Sequence, residues 1–248
     1  GRFQPKVLSA LADPSLAMPE MTDIARRKLD ADKDLAAKID ARKARIGKRH
    51  DELMAEFQEE AKEGWDGEPV ALARLANEVW SVIKDEDWVL ATGTLRQWTK
   101  KLWDFDKPYR HGGKSLGTST QIGMSLGVAL AYKDTEKVVV TLQPDGDLMY
   151  DAGALWTAAK HKIPLLIVMF NNRAYYNDWE HQIRMAKHRG TDESLAYLGM
   201  DLYGPEPDFG AMARSMGMYG EGPITDPNEV APAVRRALAE VKTGRPAL

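Results

Sequence analysis

Short apolar runs alternate with amphipathic stretches along most of the chain after Pro69. The runs "DWVLATG", "KVVVTLQ" and "PLLIVMF" are rich in aliphatic and β-branched residues and are typical of buried strands. Between them, "VALARLANEVWSVI", "MSLGVALAYK" and "NEVAPAVRRALAEVKTG" repeat apolar residues at helical spacing. Strands that alternate with helices predict an α/β fold, a doubly wound parallel sheet with helices on both faces.

Three further stretches complete this pattern. The sequences "TLRQWTKKLW", "AGALWTAAKHK" and "PDFGAMARSMG" each predict a helix. A polar connection is expected to follow the third strand through about Gly190. From about Asn177 to Pro207 charges, aromatic residues and glycine are mixed without a period, which indicates a surface excursion or an active-site loop.

The first part of the chain has a different character. Residues 1 to about 27 contain three prolines among small residues and are expected to form an irregular arm. Residues 26 to 63 are highly charged and predict one or two amphipathic helices. A dimerising coiled coil is the alternative, but the few, interrupted heptads favour a connector helix lying on its own protein. The turn-rich "GWDGEP" then predicts a boundary between residues 1–66 and 67–248. The apolar positions of the charged segment are Leu35, Ile39, Ile46, Leu53 and Phe57.

Composition narrows the class of protein. The 248 residues are 44% hydrophobic and 29% charged, as expected for a folded enzyme or enzyme subunit. A net charge of -3 gives no basic footprint for nucleic acid, and the lack of cysteine excludes disulfides and thiolate chemistry. No apolar run approaches the roughly 20 residues of a membrane span, and the start lacks a signal-peptide pattern. We therefore expect a soluble protein, by default cytoplasmic, and the start at Gly1 suggests a fragment or a processed piece.

Polar residues follow two neighbouring strands of the predicted sheet. Asp145 comes after one strand and Asn172 after the next, and parallel strands bring both to one edge. Their oxygens suit Mg²⁺, while Gly146 permits close approach of backbone and the next helix start favours a phosphate. The alternative is an ordinary turn and strand-end cap. A calcium loop from Asp145, Asp147 and Asp151 lacks the required Gly and Glu.

These residues carry a resemblance to a known family. The stretch "QPDGDLMYDAGALWTAAKHKIPLLIVMFNN" resembles the GDG…NN motif of thiamine-diphosphate enzymes such as acetolactate synthase, benzoylformate decarboxylase and pyruvate decarboxylase. Asn172 follows Asp145 by 27 positions (172 − 145). "DWVLATGTLRQW", "GGKSLGTSTQIGMSLGVALA" and "VKTGRPAL" look like the diphosphate loop, the glycine-rich loop beneath the thiazolium and the last helix and strand of these enzymes. The chain thus resembles their C-terminal half.

The resemblance implies particular ligands and contacts. It implies that Asp145, Asn172 and the backbone carbonyl of Ala174 bind Mg²⁺. Two departures from the motif stand out, because Pro144 replaces the first glycine and removes an N–H, and Asp147 adds charge beside a phosphate. The implied contacts to the cofactor are Gly93, Thr94, Gly117, Asp145, Gly146, Asp147, Leu148 and Asn172.

The substrate and partner expectations follow from the same resemblance. His111, Tyr176 and His181, with Tyr175, are candidates to orient a substrate or relay a proton, although packing or surface roles are the alternative. The glutamate that activates the cofactor in the family belongs to a separate pyrimidine-binding domain, which nothing here resembles. We therefore expect such a domain as a partner, from a missing N-terminal half or another chain, and a homodimer or homotetramer.

The function expected from the sequence is a thiamine-diphosphate- and Mg²⁺-dependent decarboxylase, carboligase or lyase acting on a 2-oxo acid or related acyl donor. A non-catalytic partner subunit of such an enzyme is the alternative, and Pro144 favours it. A third possibility is another phosphate-binding α/β enzyme. The chain lacks "GxxxxGK[ST]" and a "GxGxxG" after a strand, which argues against a nucleotide-binding version.

Overall fold

The computed structural model describes residues 9–93, 95–113 and 119–248, and the chain divides into two compact units, residues 1–56 and 57–248. The first unit consists of helix α1 (Pro14–Ala31) and most of helix α2 (Lys33–Glu60). The predicted charged helix is present as α2, which has no buried residue.

Helix α1 corrects the expectation of an irregular arm from Pro14 onward. The side chain of Asp13 accepts a hydrogen bond from the N–H of Ser15 at 2.8 Å and caps the helix. Pro14 is the first helical residue, where its missing N–H has no helical partner to lose. Pro19 does lie inside the helix. The sequence reading treated all prolines as breakers, although Asp13 and Pro14 together form a helix-start signal.

The second unit alternates strands and helices as predicted. Its elements are α3 (Leu72–Ile83), β1 (Trp88–Thr92), α4 (Trp98–Leu102), α5 (Thr120–Ala131), β2 (Val138–Pro144), α6 (Asp145–Met149), α7 (Ala154–Lys160), β3 (Leu166–Phe170), α8 (Tyr176–Arg189), α9 (Phe209–Ser215), a 3₁₀ turn (Pro227–Glu229) and α10 (Val230–Lys242). In the described ranges, no helix is long and apolar enough to cross a membrane.

The three strands are parallel neighbours in the order β1-β2-β3. Single parallel bridges extend the sheet, with His111 beside Leu90 at one edge and Ala247 beside Leu166 at the other. Tyr219 lies in turn beside Ala247. The three strands and the three bridged segments, at His111, Tyr219 and Ala247, thus give the sheet six positions. Numbered in chain order, these positions run 2-1-3-4-6-5 across the sheet. The order reverses beside β1, so the carboxyl ends of β1 and β2 flank a switch point, where α/β sheets bind ligands.

Side chains alternate between two buried layers. Leu90, Val140 and Leu166 point into a layer formed with α3 and α10. Val139 and Ile167 point into the opposite layer, formed with α5, α7 and α9. Because both faces are covered, the strands are almost continuously apolar. The predicted doubly wound fold with helices on both faces is confirmed.

The polar connection expected through Gly190 is wrong, because its residues form helix α8. Glu, Gln, Arg, Met, Ala and Lys are good helix formers, and the last turn is basic, which suits the negative end of the helix dipole. Gly190 ends the helix in the left-handed conformation, with φ 65°. No residue of α8 is buried, so the helix has no apolar stripe that periodicity could detect.

Gly93, at the end of β1, makes the closest backbone approach of the switch point. Its φ is 85°, and a Cβ there would lie 2.1 Å from the carbonyl oxygen of Leu142 in β2. We expect Gly93→Ala to lower the free energy of unfolding by about 3 kcal/mol or more, through this clash and the unfavourable φ. The measurement is denaturant or thermal unfolding.

Gly127→Ala in α5 is the matched control for this substitution. A Cβ at Gly127 meets nothing within 4 Å, and alanine favours a helix by about 1 kcal/mol over glycine. If Gly93→Ala unfolds at the same midpoint as the wild type, the close approach of Gly93 to Leu142 is contradicted.

Candidate active site

Asp145 is a buried carboxylate at the carboxyl end of β2. It is the first residue of α6, and only 1% of it is exposed. Its Oδ2 atom has no hydrogen-bond partner in the described part of the chain. Burial raises the pKa of Asp145, while the backbone amides of Gly146, Arg173 and Ala174 lower it to a smaller extent. A buried charge with an unpaired oxygen calls for a cationic partner.

The loop after β3 closes on this carboxylate. Asn172 Oδ1 accepts the N–H of Ala174 at 3.2 Å, so the asparagine makes the strand-end turn that is one of its ordinary uses. The N–H of Tyr175 donates to the carbonyl of Met200 at 2.7 Å, which anchors the loop. Since the amide of Ala174 reaches Asp145, the two strand ends meet at one edge of the sheet.

The donor set at this edge fits Mg²⁺. Among the residues described, no three His, Asp or Glu side chains converge to form a complete metal cage. The resemblance to the family implies instead that a cation at Asp145 would take one carboxylate oxygen, the amide oxygen of Asn172 and the carbonyl of Ala174. Mg²⁺ commonly binds proteins through one or two carboxylates and completes its octahedron with phosphate and water. The unpaired Oδ2 of Asp145 is the atom that such an ion would satisfy.

Tyr175 forms a wall of the site. A Cβ at Gly146 would lie 2.7 Å from a ring carbon of Tyr175, so the glycine is needed for the ring to pack there. The ring of Tyr150 lies 5.2 Å from that of Tyr175. Burial, followed by the charges of Tyr150 and Asp145, raises the pKa of Tyr175. The space left by Gly146 is thus filled by an aromatic ring.

Asp147 and Leu148 both point away from a ligand position. Asp147 Oδ1 accepts the N–H of Ser119, just before α5, at 2.8 Å, and its Oδ2 accepts from Gln143 Nε2 at 3.1 Å. The extra charge is therefore bonded to the residue just before α5 and to β2. Leu148 is fully buried in the layer beneath α5, so only its backbone can face a cofactor.

Pro144 fits its position without distortion. It is the last residue of β2 and the N-cap of α6, with φ −70°, close to the value that its ring imposes. The missing N–H lies where the strand ends. The departure from the motif at Pro144 therefore gives no structural support to a non-functional site.

Three buried hydroxyls fasten α5 to the sheet below the site. Thr92 Oγ1 lies 2.7 Å from Thr141 Oγ1 and 3.1 Å from Ser125 Oγ, and Ser125 lies 2.9 Å from Thr141. Ser125 also donates to the carbonyl of Gln121 at 2.7 Å. The sequence reading missed this group, because single hydroxyls in apolar elements carry no motif.

The other predicted residues are dispersed. Gly93 directly follows β1 at the switch point, whereas Thr94 and Gly117 lie outside the described residues. His111 lies level with Val140, four residues (144 − 140) or about 13 Å before β2 ends. The structure therefore does not bring His111 to Asp145.

His111 is held by its own loop. Its Nδ1 accepts the N–H of Gly113 at 2.9 Å. Burial, and then the charge of Lys100, lowers the pKa of His111. The imidazole is thus favoured in its neutral form inside the domain.

Tyr176 and His181 lie on α8, and both are exposed. Tyr176 begins the helix, directly after Tyr175, and its ring lies 5.2 Å from the guanidinium of Arg96. Arg96 belongs to the loop after β1 and was not singled out from the sequence. The sequence feature that could have pointed to Arg96 is its position three residues after Gly93 (96 − 93).

The fold and this edge define a class of domain. A doubly wound sheet with a metal-type donor set and helix starts at its switch point suits a phosphate-bearing ligand. The profile of the family described as thiamine pyrophosphate enzyme, C-terminal TPP binding domain, matches residues 91–248. The chain belongs to this family of thiamine pyrophosphate, or thiamine diphosphate, enzymes, and the resemblance inferred from the sequence is confirmed.

Individual relatives agree with the family assignment. The chain is 30% identical over 175 residues to acetolactate synthase isozyme 3 large subunit of Escherichia coli K12, covering 67% of this chain and 28% of the relative. It resembles the thiamine diphosphate-dependent 4-hydroxybenzoylformate decarboxylase of Rhodococcus jostii RHA1, with 25% identity, a TM-score of 0.57, and coverage of 73% of this chain and 32% of that one. Benzoylformate decarboxylase from Polynucleobacter necessarius shares the fold, with 20% identity, a TM-score of 0.54, and coverage of 71% and 31%. The chain thus spans about three tenths of the length of these relatives.

The raised pKa of Asp145 predicts that ionisation of this carboxyl lowers the stability of the metal-free protein as the pH rises. A carboxyl whose folded pKa is raised contributes stability at low pH that is lost as pH rises through the folded value. We expect Asp145→Asn, which cannot ionise, to gain stability relative to wild type as pH rises from about 4 to about 8 in chelator. Unfolding curves across this range are the measurement. The exposed Asp151→Asn is the charge-matched control, and parallel curves for wild type and Asp145→Asn would contradict the prediction.

The Gln143–Asp147 hydrogen bond predicts coupled effects on stability. We expect Asp147→Ala and Gln143→Ala each to lower the free energy of unfolding by about 1–3 kcal/mol, because each leaves a buried partner unpaired. The double variant should lose less than the sum, by about 0.5 kcal/mol or more. A double-mutant cycle by denaturant unfolding measures this coupling, and strict additivity would show that the bond is not formed.

Proposed function

We propose that this chain is the diphosphate- and metal-binding part of a thiamine-diphosphate- and Mg²⁺-dependent enzyme that acts on a 2-oxo acid or related acyl donor. The observation that carries the proposal is the buried Asp145 carboxylate, whose Oδ2 has no partner among described residues and which lies beside the Asn172–Ala174 turn. The family assignment supplies the cofactor class.

Each element at the switch point has a role in this proposal. Asp145, Asn172 and the carbonyl of Ala174 hold Mg²⁺. Gly93 and Thr94, with the backbone of Gly146, Asp147 and Leu148, receive the diphosphate, whose charge suits free amides at helix starts. The Asp147 side chain holds the start of α5 in place from below.

The cofactor carries the difficult chemistry, and the protein supplies binding and orientation. Thiamine diphosphate provides an electron sink for the charge left at a carbonyl carbon when a carbon–carbon bond breaks. The ring of Tyr175 walls the site, and Tyr176 directly follows it at the start of α8, in contact with Arg96. Tyr176 is therefore the best placed of the three predicted catalytic residues to meet a substrate, ahead of His181 and His111.

The reaction class follows from what the relatives share. The relatives are named as an acetolactate synthase and as decarboxylases of benzoylformate type. We propose a 2-oxo acid decarboxylase or carboligase for this protein. A pyrimidine-binding domain from the rest of the polypeptide or a second chain would complete the site, and a homodimer or homotetramer in the cytoplasm is the expected form.

Cofactor binding tests this function. In the complete protein, we expect thiamine diphosphate with Mg²⁺ to bind, and Asp145→Asn to weaken binding by about 10–100-fold, because the metal loses its carboxylate. Isothermal titration calorimetry measures the affinity.

Asp151→Asn removes an equal charge from an exposed residue six positions away (151 − 145) and should bind as wild type does. If the wild type takes up no cofactor, or if Asp145→Asn binds as tightly as wild type, the proposal is wrong.

A further inference from the structure

Arg96 and Tyr176 form a cationic pair beside the candidate site. The guanidinium carbon of Arg96 lies 5.2 Å from the centre of the Tyr176 ring, within the range of a cation–π contact. We propose that this pair binds the carboxylate of an anionic substrate and so selects acids over their neutral counterparts. The inference rests on the proposed function and assigns a residue to its substrate.

The backbone that carries Arg96 is strained. Leu95, Arg96 and Gln97 have φ values of 44°, 52° and 80°, the left-handed region that residues other than glycine seldom adopt. Leu95 is buried in the core with 1% exposure, and its carbonyl accepts the N–H of Trp98 at 3.1 Å. Burial of Leu95 thus holds the turn, and such strain concentrates at functional sites.

The side chain of Arg96 is held in place while its donors stay available. It is 61% exposed and forms an ion pair with Glu180 at 3.9 Å, a distance too long for a hydrogen bond. Among the described residues Arg96 has no closer polar contact. The neighbouring Arg173 differs, because it bonds to Glu206 at 2.9 Å and stacks on Tyr203. Arg96 therefore retains donors for an incoming anion.

Both members of the pair are tied to the candidate site. Arg96 follows Gly93, which touches the end of β2, by three residues (96 − 93). Tyr176 directly follows Tyr175, whose ring packs on Gly146 beside Asp145. Along the chain, each member of the pair thus lies within three residues of a residue that packs at this edge of the sheet.

The roles in the proposed function leave the pair to a substrate rather than to the cofactor. A planar guanidinium matches a carboxylate or a phosphate through two parallel hydrogen bonds, and Mg²⁺ and the backbone amides of helix starts already match the diphosphate. The carboxylate of a 2-oxo acid is also the group that leaves in a decarboxylation. Arg96 is therefore expected to act in binding, with its effect on KM rather than on kcat.

The test uses the complete protein with thiamine diphosphate and Mg²⁺, with benzoylformate, pyruvate and methyl benzoylformate as probes. We expect Arg96→Gln to weaken binding of at least one acid by about tenfold, as for a charge-assisted hydrogen bond, without changing affinity for the uncharged ester. Calorimetry gives the affinities, and where an acid is turned over, KM should rise with kcat retained. Tyr176→Phe, which keeps the ring, should resemble wild type, whereas Tyr176→Leu should resemble Arg96→Gln.

Controls separate the possible outcomes. Lys160→Met removes a cation that stacks on exposed Trp156 at 5.7 Å, away from these residues, and should change no affinity. Equal losses for acid and ester, a loss confined to thiamine diphosphate, or a wild type that binds cofactor but neither acid would overturn the assignment to a substrate carboxylate. Failure of the wild type to bind thiamine diphosphate would instead refute the proposed function. An unchanged unfolding midpoint for Arg96→Gln confirms that the fold is intact.

Discussion

The arrangement of the site depends on one buried negative charge. Asp145 is removed from water at the end of β2, and the amides that face it offset its desolvation only in part. The elements around Asp145 are arranged in a way that accommodates this buried charge. The Asn172 turn presents further oxygens on the same edge, and Gly146 leaves room for the ring of Tyr175. A protein tolerates such a charge when binding a cation recovers the energy.

The second negative charge of the motif has a different role. Asp147 is paired on both oxygens, with Ser119 and with Gln143, so it links the residue before α5 to β2. Below it, the hydroxyls of Thr92, Ser125 and Thr141 bind the same helix to two strands. Two carboxylates two residues apart (147 − 145) thus differ in their partners, because Asp145 Oδ2 has none among the described residues whereas both oxygens of Asp147 are bonded. Their surroundings, rather than their identity, make the difference.

The features that could be predicted from the sequence are those that rest on a repeating pattern or on a known motif. Strand and helix periodicity indicated the sheet, and the spacing of Asp145 and Asn172 indicated the edge where they meet. Periodicity missed α8, which buries no residue, and the proline count missed α1, whose Asp13–Pro14 start is a local signal. Tyr175 on Gly146 and Arg96 on Tyr176 are tertiary contacts between distant segments, and no local pattern specifies which ring meets which partner.

Gly93 has a mechanical consequence for the domain. Its backbone lies so close to Leu142 that no side chain fits between Gly93 and β2. Three residues after Gly93 comes Arg96, and three residues after Leu142 comes Asp145 (96 − 93 and 145 − 142). A displacement of either segment toward the other is therefore transmitted directly through the contact between Gly93 and Leu142. The segments that carry Arg96 and Asp145 are therefore coupled through one backbone contact.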